Sequence, residues 1–113
     1  RNVAQRYQEL LAGNEPDLCL LPWPRQEYNS VHAQYTLRVI DRKVVQQKLT
    51  DAGIPSAVHY PLPINEQPAY SHFCCPDCTP VAHQMAGEVI CLPVYPDLTE
   101  ADQQRVVAAL TKA

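Results

Sequence analysis

The stretch Gly53-Ile54-Pro55-Ser56-Ala57-Val58-His59-Tyr60-Pro61 reads as a helix stop, a short buried strand, and two polar rings held at the strand's exit. Gly53 closes a helical pattern, because the residue after a helix often needs a left-handed backbone that glycine adopts at least cost. Ala57 and Val58 suit an extended, half-buried segment. Pro61 biases Tyr60 away from the helical region, so His59 and Tyr60 stay extended at the strand end. Pro63 and Pro68 stiffen the segment beyond them. Rings held in this way suit a ligand contact. Residue chemistry alone favours His59 as a satisfied structural histidine and Tyr60 as a core ring, the commoner use of such groups.

Working back from Gly53, Asp41 is placed to cap a helix, its carboxylate accepting the orphan amides of the first turn. Val45, Leu49 and Ala52 fall at i, i+4 and i+7 and are expected to face a sheet together. Lys43 and Lys48 lie off that stripe and read as solvated charges, since nothing near them would make an amine nucleophilic. Before the helix, Val31, Ala33, Tyr35, Leu37 and Val39 alternate with His32, Gln34, Thr36 and Arg38, which predicts a strand with His32 on its solvated face. Pro16, Pro22 and Pro24 surround Leu18 to Leu21, predicting a loop with one short extended piece. Val3, Tyr7, Leu10 and Leu11 share one face of an opening helix that ends near Gly13.

Working forward, residues 62 to 78 read as irregular, with a short helix around Asn65 to Tyr70. Thr79 and Pro80 mark the cap and first position of another helix, where a missing amide hydrogen costs nothing. Val81, Met85 and Val89 are its expected buried stripe, with Met85 as core filler. Ile90 to Val94 reads as a strand interrupted by Pro93, which suits an edge or a strand end. Thr99 and Asp102 form a capping-box pattern ahead of a last helix whose Val106, Val107 and Leu110 face inward. The expected fold class is α/β (α+β): a short sheet covered by helices, in one domain over residues 1–113.

The chain has 113 residues, 46% of them hydrophobic and 19% charged, an ordinary balance for a soluble globular chain. No apolar run approaches the roughly 20 residues that span a bilayer, and the first residues lack a signal-peptide pattern. The sequence opens on Arg1, already inside a helical pattern, which leads to the expectation of a piece cut from a longer protein. Nine basic residues face twelve acidic ones, and none of the basic ones lies between Lys48 and Arg105. Nucleic acid is therefore not an expected partner. A phosphorylated ligand touching His59 and Tyr60 would have to find its neutralising charge on another domain or subunit.

Cysteine is the compositional oddity. Cys75-Pro76-Asp77-Cys78 has C-x-x-C spacing, with Cys74 beside it and Cys91, His72 and His83 not far along the chain. A structural zinc site usually takes two such pairs, and the second is missing. A thioredoxin-like centre wants a strand directly before the motif, which Ser71-His72-Phe73 does not resemble. Reduced thiols in a cytoplasmic protein are the expectation, and a small zinc or redox module on Cys74, Cys75 and Cys78 is the alternative. The sequence has no glycine-rich phosphate loop and no H-E-x-x-H.

Four ordered motifs carry a resemblance. They are Ser30-Val31-His32-Ala33-Gln34-Tyr35-Thr36; Gly53-Ile54-Pro55 with Val58-His59-Tyr60-Pro61; Gln67-Pro68-Ala69-Tyr70; and Leu92-Pro93-Val94-Tyr95-Pro96 with Leu98-Thr99. Over nearly its whole length the chain resembles the C-terminal part of the DegT/DnrJ/StrS sugar-nucleotide aminotransferases. The resemblance implies the small C-terminal domain of a type I, aspartate aminotransferase-like, pyridoxal-phosphate enzyme. It implies transfer of an amino group, commonly from glutamate, to a nucleotide-linked keto-sugar, as in polysaccharide and antibiotic-sugar biosynthesis. It further implies a cytoplasmic homodimer with active sites at the subunit interface, where His59 and Tyr60 reach the substrate side of the partner's site. The cofactor lysine, aspartate and phosphate-binding residues would lie in a large domain upstream of Arg1, so that this segment by itself would be inactive. Many relatives carry histidine where Asn65 stands, and the Cys74–Cys78 insert replaces a more polar connection. A non-catalytic interaction domain of shared ancestry is the remaining alternative.

Overall fold

The computed structural model describes residues 2–14, 19–23 and 25–112. Four helices, α1 (Asn2–Leu11), α2 (Arg42–Asp51), α3 (Pro80–Glu88) and α4 (Glu100–Thr111), accompany three strands, β1 (Cys19–Leu20), β2 (Tyr35–Val39) and β3 (Val89–Leu92). The strands form one antiparallel sheet in the order β1-β2-β3. Tyr35 pairs with Leu92, Leu37 with Ile90 and Val39 with Cys19. Residues directly opposite share a face, so these six side chains make one apolar surface. Each is buried, and α1, α2, Ile54, Leu98 and α4 close over them in a continuous core.

Burial of side chains such as Leu37, Leu49 and Ile90, all at 0% exposure, contributes on the order of 1.5–3 kcal/mol each. Two polar contacts tie the layers. Tyr7 is fully buried, stacks at 5.0 Å on Tyr35, and donates its hydroxyl to the Pro93 carbonyl at 2.9 Å. Gln103, also fully buried, donates from Nε2 to the Val3 carbonyl at 2.8 Å and locks α4 to α1.

Helix ends follow local chemistry. Asp41 accepts the Val44 amide at 3.1 Å, and Thr99 accepts the Asp102 amide at 3.1 Å. Thr99 also donates its hydroxyl to the Asp102 carboxylate at 2.7 Å. At the end of α2, Gly53 has φ 69°, its amide bonds to the Thr50 carbonyl at 2.9 Å, and the Ile54 amide bonds to Leu49 at 2.8 Å. That pair of bonds is a Schellman closure, with Ile54 and Leu49 buried together behind it.

Several expectations are corrected. The strand expected from Val31 begins only at Tyr35, because its partner β3 ends at Leu92 and the following Pro93 has no amide to continue the ladder. His32 has φ 48°, its amide bonds to Ser30 Oγ, and Val31 is 81% exposed. The stripe Val81, Met85 and Val89 does not form. Val81 is 70% exposed, Met85 is half-buried, Val89 belongs to β3, and Ala86 is the buried residue of α3. Ala52 is exposed because it is the C-cap of α2, one step past the helical face. Thr79 stands at the cap position of α3 but makes no capping bond with its side chain. Residues 64–66 form one 3-10 turn, and turns rather than a helix continue to Phe73. Leu18, Pro16 and Pro24 lie outside the described residues.

Candidate functional site

The candidate site grows out of the Schellman closure. With Ile54 buried beneath it, the chain runs through Pro55 and Ser56 to Ala57, which pairs with Cys91 of β3. The Ala57 amide donates to the Cys91 carbonyl at 3.2 Å, and the Cys91 amide donates to the Ala57 carbonyl at 2.8 Å. The expected strand is thus a single two-bond bridge on the free side of β3. It suffices to pin the backbone two residues before the rings.

Beyond the bridge, His59 and Tyr60 turn out to solvent. Tyr60 is 70% exposed, which rules out a core role, and His59 is exposed beside it. The rings meet edge to face at 5.4 Å, with 69° between their planes. The peptide bond joining them is cis. An imidazole and a phenol here offer donors and an acceptor to a molecule arriving from outside the fold.

A second device, which sequence reasoning missed, holds the loop on the far side of the rings. Asn65 donates from Nδ2 to the Cys75 carbonyl at 3.1 Å and accepts from Thr79 Oγ1 at 3.1 Å. Its amide is thereby engaged inside the loop. Glu66, one residue on, pairs with His83 Nδ1 of α3 at 2.7 Å. These bonds clip residues 63–79 to the start of α3. The spacing between Asn65 and Thr79 carries no period, so only the structure shows the pairing.

The cysteine motif departs from expectation. Cys75 and Cys78 are joined in a disulfide instead of standing reduced. Pro76 starts a 3-10 turn over Pro76–Cys78 that brings the two α-carbons to 5.6 Å, within bridging range. The Cys74 sulfur lies close to both. Cys91 behaves as a core thiol, buried with Sγ 3.2 Å from Thr36 Oγ1.

The described residues do not fit pyridoxal phosphate. Its anchor is a lysine amine in a sheltered pocket with a cradle for phosphate, and the chain has three lysines. Lys43 is exposed on α2. Lys48 donates to the Lys112 carbonyl at 2.6 Å, and both line an open crevice of about 440 Å³ between α2 and α4, together with Asp51 and Arg105. That crevice lies between the end of α2 and the second half of α4, whereas His59 and Tyr60 lie past the Ala57–Cys91 bridge. No helix of the described residues is long and apolar enough to cross a membrane.

Comparison with known proteins identifies what this arrangement is similar to. The DegT/DnrJ/EryC1/StrS aminotransferase family profile matches residues 1–111. A UDP-2-acetamido-2-deoxy-3-oxo-D-glucuronate aminotransferase of Pseudomonas aeruginosa is 45% identical over 82 residues, covering 73% of this chain and 22% of that protein. Among solved structures, S. venezuelae DesV in complex with a ketimine intermediate aligns with TM-score 0.90 and 28% identity, covering 99% of this chain and 31% of that one. A DegT DnrJ EryC1 StrS aminotransferase from Brucella abortus aligns with TM-score 0.85 and 31% identity, covering 96% and 28%. The chain therefore spans less than a third of the length of each of these relatives.

Proposed function

The chain belongs to the DegT/DnrJ/EryC1/StrS aminotransferase family, and on that premise we propose that residues 1–113 are the small C-terminal domain of a pyridoxal-phosphate-dependent transaminase acting on a nucleotide-linked keto-sugar. The amino donor is glutamate, and the enzyme works as a cytoplasmic homodimer. The cofactor supplies the electron sink for amino transfer and is held by a large domain, in keeping with the misfit of this chain's lysines. The part played by this chain is to bind and orient substrate through His59 and Tyr60 across the subunit boundary.

One observation carries this reading: the two rings are exposed at a corner whose backbone is pinned by the Ala57–Cys91 bridge. A ring tethered to the core but turned away from it presents its polar atoms to a neighbour at little cost in ordering entropy. The imidazole nitrogens and the phenol oxygen suit sugar hydroxyls and diphosphate oxygens. No lysine or arginine lies between Lys48 and Arg105, so they serve as orienting groups, and the bulk of the charge neutralisation falls to other parts of the dimer.

The test uses the full-length protein and its two half-reactions. His59→Ala and Tyr60→Phe are expected to leave the glutamate half-reaction unchanged. Each is expected to slow the keto-sugar half-reaction by about threefold to tenfold, the worth of one net hydrogen bond. Wild-type kinetics for both variants in the second half-reaction overturn the assignment. A full-length protein inert with every nucleotide-sugar would favour the interaction-domain reading instead.

A further inference from the structure

We infer that Cys74, Cys75 and Cys78 form a thiolate site for a zinc-like divalent ion, open when the Cys75–Cys78 bond is reduced and closed when it is made. The three sulfurs all lie within 4.8 Å of one another. Thiolates bound tetrahedrally at about 2.3 Å from zinc stand roughly 3.8 Å apart. Two of the three are joined in the Cys75–Cys78 bond, so opening it frees a pair that has only to spread to that spacing beside Cys74.

The convergence is built by neighbouring structure. The Pro76–Cys78 turn is closed by the Cys78 amide on the Cys75 carbonyl at 3.2 Å. The same carbonyl also accepts from Asn65, whose other end takes the Thr79 hydroxyl. One amide side chain thus braces both flanks of the motif, the role that outer contacts play in orienting metal ligands.

Two further observations point to a cation. No residue from 55 to 85 is buried within this chain, and a lobe without a core of its own is held by a cross-link, an ion or a packed neighbour. Nor does any lysine or arginine occur from 49 to 104, while Asp77 sits inside the motif. A divalent ion bound there meets no competing lysine or arginine from its own stretch of chain. Soft sulfur ligands in tetrahedral array select zinc over magnesium or calcium. His72 and His83 fall outside the cluster, leaving the fourth position to water.

The chemistry balances. A cellular dithiol transfers two electrons and two protons to the Cys75–Cys78 bond and becomes a disulfide itself. Zinc then binds the three sulfurs and expels their three protons to solvent.

The experiment takes the full-length protein, reduced with a phosphine or left oxidised, and titrates it with Zn²⁺ or Co²⁺ alone. One equivalent per chain is expected to bind the reduced form, giving a thiolate-to-cobalt charge-transfer band. Zinc should also protect Cys74, Cys75 and Cys78 from alkylation in the unmodified protein, a readout that needs no variant. Cys78→Ser should weaken binding by more than the roughly 10–100-fold that losing an outer-shell partner costs, while Cys91→Ser leaves it unchanged. Equal metal content in the reduced wild type and the Cys74→Ser/Cys75→Ser/Cys78→Ser triple variant overturns the site. So does alkylation of the three thiols at the same rate with and without zinc.

Discussion

Replacing Gly53 with alanine isolates the backbone requirement on which the corner depends. Gly53 has φ 69°, and a Cβ built there meets no atom within 4 Å. Steric crowding is therefore absent, and the cost is purely conformational. Holding a non-glycine residue in the left-handed region costs about 1–2 kcal/mol. The alanine also narrows the unfolded ensemble, an effect worth about 0.4–1 kcal/mol in the opposite direction. The balance is a destabilisation of roughly 1 kcal/mol. Asparagine, which tolerates this region, should recover part of it, and valine should do worse than alanine.

Gly87 gives the internal control. It lies in α3, again with nothing within 4 Å of a Cβ and with no positive φ. There the same glycine-to-alanine change should stabilise by about 0.5–1 kcal/mol. Hydrogen exchange of the Ile54 amide, which closes the motif onto Leu49, reads the first change locally. A loss of about 1 kcal/mol speeds its exchange roughly fivefold. Calorimetry reads both changes globally. If Gly53→Ala and Gly87→Ala move stability in the same direction, or if Gly53→Asn is no better than Gly53→Val, the reasoning fails.

Other outcomes rest on the charged and phenolic groups. Burial, reinforced by Tyr35 and Tyr95, holds the Tyr7 hydroxyl well above the usual phenol range. A raised acid pKa means stability is intact below about 10, where the unfolded phenol titrates, and is lost as pH climbs beyond it. Tyr7→Phe should accordingly flatten the alkaline limb of thermal stability, at a cost of about 1 kcal/mol at neutral pH for the bond to Pro93; an unchanged alkaline limb counts against it. The Glu88 carboxyl is held below its ordinary value by hydrogen bonds from Gln84 first and from Arg38 next, the latter at 2.6 Å. A depressed carboxyl contributes stability above about 4.5 that disappears as pH falls through its folded value. Glu88→Gln should remove that acid-side slope, and an acid titration of the melting temperature with the slope retained would show the pairing to be inert.

How much was legible in the sequence depends on the range of the interaction involved. Asp41, Gly53 and Thr99 announced the helix ends because a cap is chemistry between residues a few positions apart, and each sits where its pattern put it. The alternation Tyr35, Leu37, Val39 likewise named the core face of β2. Its apparent extension back to Val31 failed because strand length is decided by the partner, and β3 stops at Leu92 before a proline. The stripe on α3 failed for the same kind of reason: periodicity says which residues share a face, not whether anything covers it.

The corner divides along the same line. Residue order alone placed a proline-held His59 and Tyr60 just past a helix stop and an extended segment. Whether those rings faced inward or outward was decided by the bridge from Ala57 to Cys91, which no local pattern encodes. The clip from Asn65 to Cys75 and Thr79, and the closure of Cys75 on Cys78, were also set in three dimensions. Local backbone preference is written residue by residue, but exposure and pairing depend on which distant surface arrives opposite, and only the packed chain settles that.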